Sequence, residues 1–350
     1  MTSAVTISLD AMGGDHAPGV VVAGVAQVAV RYPSARFLLF GDGERIEPLL
    51  TESVKAVAEI RHTDARVPND AKPSQALRKG ANSSMRLAID AVRDGEAQGV
   101  VSGGNTGALM AMSKFSLRTL PGIYRPALAS FLPTLRGESV MLDLGANVQC
   151  DPENLVQFAV MGADFCRAVL GRQLPTVGLL NVGEEELKGN DTVRAAHDLL
   201  RRSDNLDFSY HGFVEGTDIT RGTVDVIVTD GFTGNVALKT AEGTARLITH
   251  YLGLAFRASW LSRLGYVLAR SSLGRLRARL DPNNYNGGVF LGLNGIAVKS
   301  HGSSDAKGFE AAIALAIDMA SDELIEKIRN NFQEFDFHKK SAKAAASGAA

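Results

Sequence analysis

The sequence predicts an α/β fold with three layers, in which a largely parallel sheet carries helices on both faces. Short runs rich in Val, Ile and Leu alternate along the chain with segments whose apolar residues recur at helical spacing. Four of these strand-like runs end in a polar, glycine-containing turn that leads directly into a helical pattern. Strands buried on both faces of a parallel sheet have this apolar character.

The individual elements follow from these patterns in chain order. Strands are predicted at 5–9, 37–40, 99–102, 139–144, 176–181, 224–229 and 296–298. Helices are predicted at 20–32, 74–92, 106–117, 154–170, 192–202 and 308–319. Residues 127–144 place two strands around Arg136-Gly137-Glu138-Ser139, which predicts a hairpin and makes part of the sheet antiparallel.

The four polar turns, which we call the glycine turns, lie at 10–18, 102–107, 230–235 and 299–305. A strand that ends in glycines and opens a helix presents free N–H groups at the positive end of the helix dipole, and this favours an anion such as phosphate. An ordinary strand–helix turn uses the same glycines and polar caps, so one turn alone does not distinguish the two. Because the pattern occurs four times, we expect the turns to gather at one edge of the sheet as a ligand site.

The composition of the chain and its lack of linkers limit how many domains, which partners and which location we expect. No segment rich in Gly, Pro or Ser divides it before residue 336, so we predict a single catalytic α/β domain over 1–335. A basic helical arm is predicted at about 244–282, and a disordered Ala/Ser/Lys tail at 336–350. Lys and Arg number 37 against 38 Asp and Glu, which predicts no nucleic-acid partner. The chain shows no signal peptide and no run of about 18 apolar residues, so a cytoplasmic location is expected.

The sequence contains two cysteines and lacks the common cofactor motifs. Cys150 and Cys166 have no Cys or His at metal-binding spacing, so both are predicted to be reduced, structural thiols. There is no close carboxylate pair at one turn for a metal and no G-x-G-x-x-G for a dinucleotide. We therefore predict no metal and no other cofactor.

Eight segments, in register from about residue 5 to residue 320, resemble the signature stretches of one family. They are ISLDAMGGDHAP, VSGGNTGA, LPGIYRPALA, LDLGAN, LLNVGEEELKGN, VEGTDI, VTDGFTGNVALKTAEG and LNGIAVKSHGSSD. The chain is identified by them as similar to the bacterial acyl-[acyl-carrier-protein]:phosphate acyltransferases, the PlsX family. Asp230, Gly234-Asn235 and Lys239 also resemble the D…GN…K pattern of the phosphotransacetylases.

The resemblance implies a function and partners. It implies transfer of a fatty acyl group from the thioester of acyl carrier protein to inorganic phosphate, giving acyl phosphate for phospholipid synthesis. It also implies a fold like that of isocitrate and isopropylmalate dehydrogenases, a homodimer, and a membrane glycerol-3-phosphate acyltransferase that uses the product. The expected location is the cytoplasm, with peripheral association with the inner face of the cell membrane.

Phosphate is already a nucleophile toward a thioester, so the protein needs to hold the dianion and stabilise the oxyanion rather than supply a nucleophile. The turns at 102–107 and 230–235, which share Thr, Gly and Asn, are predicted to form one phosphate site. The predicted phosphate- or substrate-binding residues are Gly13, Gly14, Asp15, Gly104, Asn105, Thr106, Thr233, Gly234 and Asn235. The predicted catalytic residues are His16, Lys188, Asp230, Lys239 and His301. The lysines would supply charge, a histidine would protonate the leaving thiolate, and Asp230, like Asp10 and Asp15, would orient neighbouring groups.

The segment 243–280 carries seven arginines and no acidic residue. Leu254, Ala258, Leu261, Leu264 and Leu268 recur at helical spacing as an apolar stripe. One interpretation is a helical dimer arm with solvated arginines. The other is a surface for acidic acyl carrier protein or an anionic membrane, formed by Arg257, Trp260, Leu261, Arg263 and Arg270.

Three other functions remain open at this point. A phosphotransacetylase-like enzyme would take the acyl group from acyl-CoA. A β-decarboxylating dehydrogenase would share the fold but need a metal and a dinucleotide. A non-catalytic scaffold at a membrane surface would explain the arginines and leave the glycine turns unexplained.

Overall fold

The computed structural model describes residues 4–203, 206–280 and 287–334, and the tail predicted at 336–350 lies outside them. Eleven strands in the described part of the chain form one sheet. The strands are β1 (Thr6–Asp10), β2 (Arg36–Gly41), β3 (Ala58–His62), β4 (Gly99–Ser102), β5 (Ala127–Thr134), β6 (Gly137–Leu142), β7 (Thr176–Leu180), β8 (Ser209–Val214), β9 (Val226–Val228), β10 (Gly288–Leu291) and β11 (Ile296–Lys299).

Helices lie between most of these strands. They are α1 (Gly19–Arg31), α2 (Gly43–Ile46), α3 (Glu52–Lys55), α4 (Pro73–Lys79), α5 (Ser84–Arg93), α6 (Thr106–Leu117), α7 (Pro152–Leu170), α8 (Asp191–Arg201), α9 (Gly216–Arg221), α10 (Gly231–Arg257), α11 (Trp260–Leu280), α12 (Ala306–Ser321) and α13 (Leu324–Glu334), with a short 3₁₀ helix at Glu47–Leu49. Two buried apolar clusters lie on opposite faces of the sheet, so the predicted three-layer α/β architecture is confirmed.

The strand order is β3-β2-β1-β4-β11-β10-β5-β6-β9-β7-β8. The strands from β3 to β11 pair in parallel, and so do the strands from β6 to β8. Between these halves, β10 is antiparallel to both β11 and β5, and β5 is antiparallel to β6. The predicted hairpin at 127–144 is therefore confirmed, as strands β5 and β6. Three reversals in succession also make the two parallel halves run in opposite directions.

One predicted helix is divided in the structure. The segment predicted as a helix at 74–92 forms α4 and α5, because the chain turns at Gly80 and the Ser83 side chain accepts a hydrogen bond from the Arg86 N–H at 3.3 Å to start α5. Strands β3, β8 and β10 were not predicted from the sequence. The first two are the edge strands of the sheet and have mixed polar and apolar sequences.

Candidate functional site

Three of the four glycine turns meet at one edge of the sheet. They follow β1, β4 and β11, which are neighbours in the sheet, so their carboxyl ends lie side by side. The Asp15 N–H donates to the Gly302 carbonyl at 2.8 Å and ties the first turn to the last. A Cβ atom added at Gly13 would lie 2.8 Å from the Gly104 nitrogen, which shows how closely the first turn approaches the second. The predicted convergence is confirmed for these three turns.

The fourth turn, at 230–235, lies at the opposite edge. It follows β9, which belongs to the half of the sheet that runs in the other direction. Here Asn235 lies against Gly145, which follows β6. This turn and the turn at 102–107 therefore follow strands that run in opposite directions, because the β5–β6 hairpin and β10 lie between them. A phosphate site formed by both turns stays a prediction. Lys188 follows β7 and is also at that opposite edge.

A buried carboxylate organises the three turns. Asp10 accepts hydrogen bonds from the Ser84 and Ser102 hydroxyls at 2.6 Å each and from the Met12 N–H at 3.3 Å. Burial raises the pKa of this carboxyl, and the hydrogen bonds oppose that rise. The side chain of any other residue at Gly13 would collide with it, since a Cβ there would be 2.4 Å from Asp10 Oδ2. The expectation that Asp10 orients its neighbours is confirmed by these bonds.

Lys299, the last residue of β11, brings a cation to the same turns. Its ammonium donates to the Gly103 carbonyl at 3.3 Å and to the Ser300 carbonyl. Burial lowers the pKa of Lys299 to about 8, although the charges of Asp10 and Asp15 act in the other direction. Lys299 was not among the predicted catalytic or binding residues. The available signal was a lysine at the end of an otherwise apolar strand, directly before a glycine turn.

His301 follows in the same turn. Its Nδ1 lies 2.9 Å from the Ser303 hydroxyl and accepts the Ser303 backbone N–H at 3.3 Å, so the proton of the neutral ring is on Nε2. Burial lowers the pKa of His301, and the nearby charges of Lys239 and Lys299 lower it further. The imidazole is therefore held in its neutral form around pH 7.

Helix α10 carries a second lysine to this edge. The helix starts at Gly231 on the opposite edge, and Lys239 lies eight residues, or about 12 Å, further along its axis. Its charge acts on both His301 and Lys299, while its ammonium pairs with Glu242 at 3.0 Å. The structure thus brings together two of the predicted catalytic residues, Lys239 and His301, and adds Lys299 to them.

The other predicted residues of the three turns have more local contacts. The Asn105 side chain caps α6 by accepting the Ala108 N–H at 2.9 Å and donates to the Asn69 carbonyl at 2.6 Å, so it holds the backbone. Asp15 accepts the Asn69 side-chain N–H at 3.1 Å. His16, Gly14 and Thr106 lie in the same turns, with Thr106 exposed at the first position of α6. Binding roles for these residues stay predictions.

At the opposite edge, the start of α10 is fixed to the loop that follows β6. Asp230 caps the helix by accepting the Thr233 N–H at 2.8 Å, and its role in the reaction stays a prediction. A Cβ at Gly234 would lie 1.9 Å from the Asp143 carbonyl oxygen, so helix and loop are in close contact. Cys150 lies in this region, and burial raises the pKa of its thiol to about 12, as it does for Cys166. Both are protonated thiols at neutral pH and are poor nucleophiles.

Among the described residues, one group has donor atoms spaced for a cation. These are the side chains of Asp42, His62 and Asp64, within 4.8 Å of one another. The His62 Nδ1 accepts the Gly43 N–H at 3.1 Å, which assigns its proton to Nε2, and this nitrogen faces Asp64 at 3.4 Å. The group is explained as a hydrogen-bonded cluster, and we assign no metal to it. That the protein needs no metal or cofactor stays a prediction.

Helices α10 and α11 pack against each other as a hairpin, which we call the arm. Large apolar side chains are exposed on it, with Trp260 at 73% and Leu261 at 61% of full exposure. Arg257, Arg263 and Arg270 are exposed as well. None of the helices that the structure describes combines the length and the apolar character that a membrane span requires.

Known proteins resemble the chain over nearly its whole length. The model of the family described as "Fatty acid synthesis protein" matches residues 5–327. A phosphate acyltransferase from Rhodospirillum centenum is 60% identical over 94% of this chain and 93% of its own, and one from Paramagnetospirillum magneticum is 57% identical over 95% of each. The fold is similar to that of a Streptococcus pyogenes phosphotransacetylase, with a TM-score of 0.61, 18% identity and coverage of 93% of this chain and 95% of the other.

Proposed function

The chain belongs to the family of phosphate acyltransferases, and we propose that it transfers a fatty acyl group from acyl carrier protein to inorganic phosphate at the edge where three glycine turns meet. The observation that carries this proposal is the grouping of Lys239, Lys299 and the neutral His301 beside those turns. Two cations and the N–H groups of a glycine turn can together bind and neutralise a phosphate dianion.

The reaction follows from this arrangement. Phosphate held beside Lys239 attacks the thioester carbonyl carbon, and the tetrahedral oxyanion is stabilised by N–H groups and positive charge. Collapse of this intermediate breaks the C–S bond and leaves acyl phosphate and the thiol of the carrier. The high thiol pKa values of Cys150 and Cys166 support direct attack by phosphate over an acyl-enzyme.

A trapping assay tests the proposal. Purified protein with acyl-[acyl-carrier-protein] and inorganic phosphate should release the free carrier thiol and form acyl phosphate, which hydroxylamine converts to a hydroxamate. Acyl-CoA in place of the carrier tests the phosphotransacetylase-like alternative. Lys239→Met should raise the KM for phosphate about 10-fold or more, since a charge-assisted contact contributes on the order of 1.5–3 kcal/mol. Lys114→Met, on helix α6, is the control. Product formation without phosphate, or an unchanged KM in Lys239→Met, contradicts the proposed site.

The arm supports a homodimer as a further part of this proposal. Leu254, Leu264 and Leu268 are 49%, 51% and 79% exposed, so the predicted apolar stripe is uncovered in one chain. Exposed apolar surface on neighbouring helix turns is typical of an interface. A second copy of the chain would cover the stripe and leave the arginines at the rim.

The arginines at the rim support docking of an anionic partner. Acyl carrier protein is the donor in the proposed reaction, and the cytoplasmic face of the membrane is where the membrane glycerol-3-phosphate acyltransferase would take up acyl phosphate. Each arginine near an anionic membrane contributes about 1 kcal/mol at low salt. We therefore propose peripheral, salt-sensitive association from the cytoplasm through Arg257, Arg263 and Arg270.

Three proteins separate these roles of the arm: wild type, Arg263→Glu/Arg270→Glu and Leu261→Glu. Sedimentation with anionic and neutral liposomes at two salt concentrations measures membrane binding, and carrier-protein binding is measured in parallel. Light scattering gives the oligomeric state. The arginine variant should lose anionic binding and stay dimeric. Equal binding by all three proteins would show that the arm is only structural.

A further inference from the structure

The leaving group of the proposed reaction needs a proton. When the C–S bond of the thioester breaks, the carrier leaves as a thiolate, and a thiol such as that of cysteine has a pKa of about 8.5. Besides the exposed His16, three candidate groups stand beside the glycine turns that meet: Lys239, Lys299 and His301. Their surroundings differ enough to separate their roles.

His301 is poorly suited to act as the acid. Its pKa is lowered and its Nδ1 already accepts the Ser303 N–H, so around pH 7 the ring holds only the Nε2 proton, which a neutral imidazole does not readily give up. Lys239 has its ammonium 3.0 Å from the Glu242 carboxylate, and its side chain is 51% exposed. We therefore assign Lys239 the role of a charge that faces phosphate.

Lys299 has the surroundings of an acid. Its ammonium is partly buried at the junction of the three turns and donates to the carbonyls of Gly103 and Ser300. Resting on the proposed function, we propose that Lys299 protonates the leaving thiolate and recovers its proton from the phosphoryl group of the product.

The proton balance closes within the site. Phosphate enters as HPO₄²⁻, its oxygen forms the new C–O bond, and the C–S bond breaks with both electrons on sulfur. The thiolate takes one proton from the Lys299 ammonium and leaves as the thiol. The neutral amine then takes the P–OH proton of the acyl phosphate, which is more acidic once the acyl group is attached. Lysine ends as ammonium, the product leaves as a dianion, and the charge before and after is the same.

The charges that face Lys299 are consistent with a proton carrier. Asp10 on β1 and Asp15 in the turn after it favour its ammonium form, whereas burial and Lys239 on α10 favour the amine. The resulting pKa of about 8 is close to neutral pH, and a general acid works best when its pKa lies near the operating pH. His301, neutral in the adjoining turn, adds no charge of its own.

Leaving-group chemistry provides the test. In Lys299→Met, kcat with acyl-[acyl-carrier-protein] should fall about 100-fold or more, the usual range for loss of a general acid. With a thiophenol thioester of the same acyl chain, whose leaving group needs no proton, kcat should fall by less than about 5-fold. The wild-type rate with the natural donor should fall as the pH rises through about 8, since the ammonium is the active form, and this limb should be absent with the thiophenol donor. Lys55→Met, remote from the turns and paired with Glu52 on the surface, is the control.

Lys299→Arg separates a proton donor from a fixed charge. Arginine preserves the positive charge but does not lose a proton near pH 8, so the KM for phosphate should change little while kcat with the carrier thioester stays low. Equal losses with both donors, or recovery of kcat by arginine, would overturn the proposal and leave Lys299 as a phosphate-binding charge. Acyl phosphate formation by the wild type is measured in the same assay, so failure of the proposed function would be seen separately. Thermal unfolding of each variant shows whether it is folded.

Discussion

Replacement of Asp10 by asparagine tests how the buried carboxylate connects the fold to the candidate site. The carboxylate is 1% exposed and accepts two serine hydroxyls at 2.6 Å each. Asparagine has the same shape, and its amide can still accept from one serine and donate to the other. We therefore expect Asp10→Asn to fold with the turns in place.

The expected loss of unfolding free energy in Asp10→Asn follows from the two hydrogen bonds. A bond to a charged group contributes about 1.5–3 kcal/mol and a neutral bond about 0.5–1.5 kcal/mol, so two such changes cost roughly 2–3 kcal/mol of unfolding free energy. The amide no longer has to bury a charge, which offsets part of this loss. A net decrease of about 1–2 kcal/mol is expected from urea unfolding at pH 7.

The same substitution should change the pH profile of activity. The Asp10 charge raises the pKa of Lys299 from what burial alone would give. Without it the ammonium loses its proton at a lower pH, so the alkaline limb of kcat should move below pH 8 in Asp10→Asn. Asp94→Asn, which removes an exposed carboxylate paired with Arg93, should leave the limb in place. An unchanged or raised limb in Asp10→Asn would refute the electrostatic link between the two residues.

Three further predictions concern other parts of the molecule. The Cys150→Ser/Cys166→Ser double variant should keep most of its activity, and mass spectrometry without phosphate should detect no acylated protein; a stable acyl adduct on the wild type would contradict direct attack. Gly13→Ala should lose about 1–3 kcal/mol of unfolding free energy, because the new methyl group would lie 2.4 Å from Asp10 Oδ2; equal thermal stability would show that the turn can open. Burial raises the pKa of Asp164 from 3.8 to about 6, so the folded protein binds this proton more tightly than the unfolded chain and stability should fall as the pH rises from 4 to 6. Urea unfolding at several pH values should show this decline in the wild type and a smaller one in Asp164→Asn.

Much of the fold was predictable because the relevant signals are local. The strand at 99–102 and the helix at 106–117 have the predicted bounds, since an apolar strand, a polar turn and an asparagine cap follow one another in the sequence. The edge strands β3 and β8 were missed because a strand with one solvated side has no continuous apolar run. Strand β10 was missed because it leads into the antiparallel strand β11 and not into a helix, so the strand–turn–helix pattern is absent there.

The candidate site was only partly predictable, because strand direction is a property of the whole sheet. The turns at 102–107 and 230–235 share Asn, Thr and Gly and the same strand–helix context, yet one lies at each edge. The hairpin at 127–144 was predicted, but the number of reversals between two distant strands also depends on β10, which pairs with β5 from the far end of the chain. Similar local sequence therefore predicted similar local structure, but it did not indicate the edge of the sheet at which each turn lies.

The opposite strand directions in the two halves of the sheet also give α10 a role at the candidate site. Strand β9 ends at the edge away from the three turns, and Lys239, whose charge acts on His301 and Lys299, lies further along the helix that follows β9. The contact of Gly234 with the Asp143 carbonyl fixes where α10 starts, and about two helical turns later Lys239 arrives beside His301 and Lys299. The two halves of the sheet thus supply different parts of the proposed chemistry: an exposed, ion-paired lysine as a charge for phosphate, and a partly buried lysine whose proton can move.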